Sequence, residues 1–128
     1  MLSGRPGGHE STPRILIVDD DPNLLVLLAD QLRADGFQIQ TARDGDEALR
    51  RLKSGWPDLL IIDMMMPRMD GETFLVSMKQ RPELAGVRVV VISGNAQARD
   101  RARELSATAC LVKPFDLEDL LGVVHRFA

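Results

Sequence analysis

Residues 15–22 read Ile15-Leu16-Ile17-Val18-Asp19-Asp20-Asp21-Pro22, an unbroken apolar run that ends in three carboxylates and a proline. Consecutive apolar residues, mostly β-branched, fit a strand buried on both faces, as in a parallel sheet. Asp21 suits the N-cap of a following helix, and Pro22 suits its first turn. Leu24, Leu25, Leu27, Leu28 and Leu32 then recur at helical spacing, and Gly36 ends the helix. A buried strand, an acidic turn and an amphipathic helix follow one another without a spare residue.

The same alternation continues along the chain. Phe37 and Ile39 alternate with polar residues, as in a more exposed strand. Asp44 and Glu47 form a capping-box-like pair before Ala48, Leu49 and Leu52. Residues 59–62 are a second fully apolar strand, ending at Asp63. The stretch MMMPRMDG, residues 64–71, reads as a loop leading to a helix with Phe74, Leu75 and Met78. Residues 87–92 are the most β-branched segment and end at Ser93. A polar helix rich in Ala and Arg is expected over residues 95–105, then a short strand over 110–112 ending at Lys113. Asp116 and Asp119 open a last helix carrying Leu117, Leu120, Leu121 and Val124.

Five strands alternating with five helices imply an α/β fold, a doubly wound parallel sheet with helices on both faces. The 128 residues suit one domain, placed at 14–128, behind a flexible tail over 1–13 that is rich in Gly, Pro, Ser and Thr. Apolar residues make up 45% and charged residues 27%, an ordinary globular balance. A net charge of −3, from 16 basic and 19 acidic residues, lacks the basic footprint of a nucleic-acid binder. Any action on DNA would run through a partner or a segment outside this sequence. One cysteine allows no intramolecular disulfide and no CxxC metal site. No apolar run approaches the roughly 20 residues of a membrane span. A cytoplasmic location without membrane contact is the expectation.

The polar residues fall in an informative place. Asp19 and Asp20 end the first strand, Asp63 the third, Ser93 the fourth and Lys113 the fifth. In such sheets the site lies beyond the carboxyl ends of the strands, so all five should meet on one edge. Clustered carboxylates repel one another, and a hard divalent cation such as Mg²⁺ relieves that with oxygen ligands. A carboxylate can also act as a nucleophile toward phosphorus and form an aspartyl phosphate. Phosphoryl transfer then requires mainly positioning and charge neutralisation. Lys113 can balance phosphoryl charge, and Ser93 can donate a hydrogen bond to it.

At these residues the chain resembles the receiver domains of response regulators, over residues 14 to about 127. ILIVDDDP resembles their acidic opening, PDLLIIDMMMPRMDG the phosphorylation segment, VVVISGNA the hydroxyl-bearing strand and LVKPF the lysine motif. The resemblance implies a flavodoxin-like (βα)₅ three-layer sandwich with sheet order 2-1-3-4-5. It implies Asp63 as phosphoacceptor and Mg²⁺ as cofactor. Asp20 would be a direct ligand, Asp19 would hold a metal-bound water, and Asp63 and the Met65 backbone carbonyl would complete the set. Ser93 stands where the family has Thr or Ser, and Lys113 is the family lysine, followed by a bond to Pro114 that is commonly cis. The implied partners are a sensor histidine kinase or a histidine phosphotransfer protein, and a downstream protein or output domain.

The chain departs from the family pattern on one face. It has no tyrosine, and Cys110 occupies the aromatic switch position. Ser106 replaces a glycine common at the end of helix four, and twenty positions separate Ser93 from Lys113, slightly short for the family. The switch is therefore expected to involve Ser93, Gly94 and Cys110. The loop around Gly94 and Asn95 would carry the change, while Cys110 keeps one environment.

Other residues have plainer readings. Asp21 is a helix cap rather than a ligand, and the Met64-Met65-Met66 run is not a soft-metal site. Cys110 is a small buried apolar residue rather than a redox sensor. His125 favours the end of its helix rather than relaying phosphate. Trp56 is a packing residue, and Arg99, Arg101 and Arg103 form a solvated face or a docking surface. Two other functions compete with the signalling module. An aspartyl-phosphate-forming phosphatase of the haloacid-dehalogenase type would carry a second Asp two residues after the nucleophile, where this chain has Met65. A receiver-like interaction domain that has lost phosphorylation would not need to retain Asp19, Asp20, Asp63, Ser93 and Lys113.

Overall fold

Five parallel strands form one sheet in the computed structural model, which describes residues 12–55, 57–66 and 69–128. They are β1 (Arg14–Val18), β2 (Gln38–Ala42), β3 (Leu59–Asp63), β4 (Arg88–Ser93) and β5 (Ala109–Val112). Their order is β2-β1-β3-β4-β5, the topology that the family resemblance implies. The crossovers are α1 (Pro22–Ala34), α2 (Gly45–Lys53), α3 (Gly71–Lys79) and α4 (Ala96–Glu104), and α5 (Leu117–Phe127) closes the fold.

Strand alternation divides the core into two layers. Leu16, Val18, Leu60, Ile62, Val89 and Val91 pack with Ala48, Leu52, Phe74, Leu75, Met78 and Ala102, so α2, α3 and α4 share one face. Ile15, Ile17, Leu59, Ile61, Val90 and Ile92 pack with Leu25, Leu28, Leu32, Leu120 and Val124, so α1 and α5 share the other. Strands sandwiched in this way must be apolar at every position, and every residue of β3 is buried.

Caps decide where the helices start. The Asp21 carboxylate accepts from the backbone N–H groups of Asn23 and Leu24, which settles its role as the cap of α1. Asp116 and Asp119 form a reciprocal capping box on α5. The pair at α2 is only half a box. Asp44 accepts from Glu47 N–H, but the Glu47 carboxylate reaches one residue further back, to Arg43 N–H at 2.8 Å. Gly36 follows α1 with φ 98°, a backbone region open to glycine.

Some boundaries differ from the sequence reading. Val87 precedes β4 rather than opening it, because its N–H closes a turn onto Leu84. Strand β5 begins one residue earlier, at Ala109, which pairs with Val90. The loop after Asp63 contains a short antiparallel ribbon, Met65–Met66 with Met69–Asp70. Trp56 and residues 1–11 lie outside the described residues, and the readings made for them lie there too.

Candidate functional site at the sheet edge

Register places the site residues in steps. Val18 is level with Ile62, so Asp19 follows β1 at the height of Asp63. Asp63 is level with Ile92, which puts Ser93 one step further out. Ser93 pairs with Val112, and Lys113 N–H donates to the Ser93 carbonyl at 2.8 Å. The carboxyl ends of four strands thus converge, as anticipated for Asp19, Asp63, Ser93 and Lys113.

Alternation also sorts them by face. Asp19, Asp63 and Lys113 share the parity of Ile17, Ile61 and Leu111, toward α1 and α5. Ser93 and Cys110 share the parity of Val91, toward α2, α3 and α4. The contacts follow this division. Lys113 Nζ donates to Asp63 Oδ2 at 2.9 Å, and the carboxylate is almost fully buried. That bond, with the Asp63 charge, holds the ammonium above its ordinary pKa.

Asp19 is only 2% exposed. Its Oδ1 accepts from Asp21 N–H at 2.9 Å, while Oδ2 is buried without a hydrogen-bond partner among the described residues. Burial pushes its pKa up to about 6, helped by the Asp63 and Asp20 charges and opposed by the Asp21 N–H bond and by Lys113. An unsatisfied buried carboxylate oxygen facing like charges fits a nearby cation. Asp20 itself is exposed. Among the described residues no three His, Cys, Asp or Glu side chains form a ready metal cage. Met65, whose carbonyl the resemblance implies as a ligand, lies in the ribbon beyond Asp63.

The ribbon needs a close approach from α3. A Cβ on Gly71 would lie 2.7 Å from Met64 Cα and 2.9 Å from its sulfur. The peptide bond from Lys113 to Pro114 is cis. Ser93 is fully buried, and its hydroxyl donates to the Asn95 carbonyl at 3.3 Å. Its oxygen also lies 3.5 Å from Cys110 Sγ, a contact that the sequence reading missed. Cys110 is half-buried rather than buried. His125 stands in the last turn of α5 as expected, and it also meets Asp35 at 2.9 Å and the ring of Phe37.

A family model described as the response regulator receiver domain matches residues 15–125. The chain belongs to that family. This receiver domain is 37% identical over 114 residues to the phosphate regulon transcriptional regulatory protein PhoB of Rhizobium meliloti (strain 1021), covering 88% of this chain and 50% of that protein. It is 36% identical over 123 residues to the sensor histidine kinase TmoS of Ectopseudomonas mendocina, covering 94% of this chain and 12% of that one. The response regulator TrrA of Thermotoga maritima, solved in complex with Mg²⁺–BeF, matches with a TM-score of 0.80 at 30% identity, covering 91% of this chain and all of that one. The receiver domain thus spans about half the length of the regulator and about an eighth of the kinase. Receiver domains are signalling units of two-component systems, and this one shares their strand order. No helix among the described residues is long and apolar enough to cross a membrane.

Proposed function

We propose that this receiver domain accepts a phosphoryl group on Asp63 from a sensor histidine kinase or a histidine phosphotransfer protein, with Mg²⁺ bound, in the cytoplasm. The observation that carries the reading is the buried Asp63 carboxylate bonded to Lys113 beside the unsatisfied Asp19 oxygen. The Mg²⁺–BeF complex of the related TrrA supports it.

The residues divide the work. An Asp63 oxygen attacks phosphorus, the new O–P bond forms, and the donor's N–P bond breaks with its electron pair leaving on the imidazole. Lys113 holds Asp63 in place beforehand and can then follow the negative charge onto a phosphoryl oxygen. Ser93 supplies a hydroxyl donor to another. Asp20 would be a direct ligand of Mg²⁺, with Asp19 acting through a water, and Asp63 and the Met65 carbonyl completing the set. When bound, the cation supplies positive charge against the carboxylates and the phosphoryl oxygens. The same groups would serve loss of the phosphoryl group to water, so the domain acts only on its own phosphorylation.

Incubation with acetyl phosphate tests this reading. Incorporation should require Mg²⁺ and stop in EDTA. Equal incorporation in EDTA would contradict it, and no incorporation from any donor would favour an interaction domain without phosphorylation.

A further inference from the structure

Ser93 and Cys110 lie diagonally on one face of neighbouring strands, Ser93 level with Val112 and Cys110 level with Val91, with one polar contact between them. Ser93 carries a single hydroxyl proton. The hydroxyl donates that proton to the Asn95 carbonyl at 3.3 Å. The 3.5 Å contact between Ser93 Oγ and Cys110 Sγ allows either atom as donor, and while the hydroxyl proton lies on the Asn95 carbonyl that role falls to the thiol. The result is a short chain, Cys110 S–H to Ser93 O–H to the Asn95 carbonyl. Its last member belongs to the residue whose side chain caps α4, accepting from Ala98 N–H at 2.8 Å.

From this geometry we infer that Cys110 is a positioning residue, whose thiol holds Ser93 in a resting orientation away from Asp63. The inference rests on the proposed phosphorylation of Asp63. Ser93 points by strand parity to the layer of α2, α3 and α4, whereas Asp63 and Lys113 point to the other. To donate to a phosphoryl oxygen, the hydroxyl must leave the Asn95 carbonyl and its present place against the thiol. A thiol is a weak donor, so it restrains Ser93 only lightly. Departure of Ser93 leaves the Asn95 carbonyl, at the start of α4, with the Arg99 N–H alone, which links the acceptor to that helix. It also removes the thiol's partner. This differs from the expectation, made on side-chain size, that Cys110 keeps one environment.

Two substitutions move the restraint in opposite directions. Cys110→Ala removes the donor, and Cys110→Ser supplies a stronger one at nearly the same place. With Mg²⁺ present, beryllofluoride should bind Cys110→Ala about three-fold more tightly than the unmodified chain, and Cys110→Ser about three-fold more weakly. In a Ser93→Ala background both substitutions should have no effect. A purely packing role for Cys110 would change affinity in both backgrounds, or in one direction for both variants, and either result overturns the inference. The resting contact is read separately, without metal or phosphate, from the infrared S–H stretch. It should shift when Ser93→Ala removes the acceptor, and an unchanged band also overturns the inference. A shifted band together with failure of beryllofluoride to bind the unmodified chain would instead overturn the phosphorylation reading, and the inferred role of Cys110 with it.

Discussion

Asp19 has one oxygen bonded to Asp21 N–H and one buried without a donor among the described residues. Burial raises its pKa from 3.8 to about 6, so the folded chain holds that proton more tightly than the unfolded chain. The resulting stabilisation is complete below 3.8 and is lost as pH rises to about 6. At neutral pH without metal, the ionised group is a net cost. Asp19→Asn keeps an oxygen for Asp21 N–H and removes the charge. In EDTA at pH 8 it should stabilise the fold by on the order of 2 kcal/mol, and at pH 4 by much less. Saturating Mg²⁺ should shrink the gain at pH 8, because the cation favours the carboxylate. Urea midpoints at the two pH values, with and without Mg²⁺, measure all of this. Asp20→Ala should weaken Mg²⁺ binding more than Asp21→Ala, since Asp21 is committed to the α1 cap. Equal losses in a Mg²⁺ titration would count against that division. Ser106 follows α4 with φ 64°, a region that costs side-chain-bearing residues about 1 kcal/mol. Ser106→Gly should therefore raise stability by roughly 0.5–1 kcal/mol in denaturant unfolding.

Helix α4 differs from its neighbours in what it buries. Only Ala102 is buried in its nine residues, whereas α1 buries Leu25, Leu28, Ala29 and Leu32. Its ion pairs, Arg101 with Glu72 on α3 and with Glu104, and Asp100 with Arg99 and Arg103, are exposed and add little. Amide hydrogen exchange should find α4 at least about ten-fold less protected than α1, the equivalent of roughly 1.4 kcal/mol. Equal protection would mean that the helix has support beyond Ala102. The polar composition of residues 95–105 already signalled this weakness. Strands β1, β3 and β4 were also legible, because burial on both faces leaves unbroken apolar runs. The ribbon after Asp63 was not, since MMMPRMDG has neither alternation nor β-branched residues. Glu47 was misjudged because its carboxylate can reach two successive N–H groups, and local spacing does not choose between them. The site residues could be read from strand ends, which topology brings together. The Ser93–Cys110 contact could not, because it depends on strand parity and on the β4–β5 register at once. The His125–Asp35 contact joins residues 90 positions apart and leaves no local pattern.

Across the whole molecule, one sheet separates two apolar layers, and its carboxyl edge gathers the polar groups. Asp63 and Lys113 meet on the face of α1 and α5, while Ser93 waits on the opposite face beside α4. That arrangement suits a domain in which chemistry at one edge alters a helix on the far side. Beryllofluoride with Mg²⁺ should accordingly shift NMR signals of Gly94, Asn95 and α4 more than those of α2. Peptide mapping by mass spectrometry, after treatment with acetyl phosphate and Mg²⁺, shows where the phosphoryl group goes. The phosphoryl group should lie on Asp63 and be absent from Asp63→Asn, whereas full labelling of Asp63→Asn, or a label mapped to another residue in the unmodified chain, would contradict it.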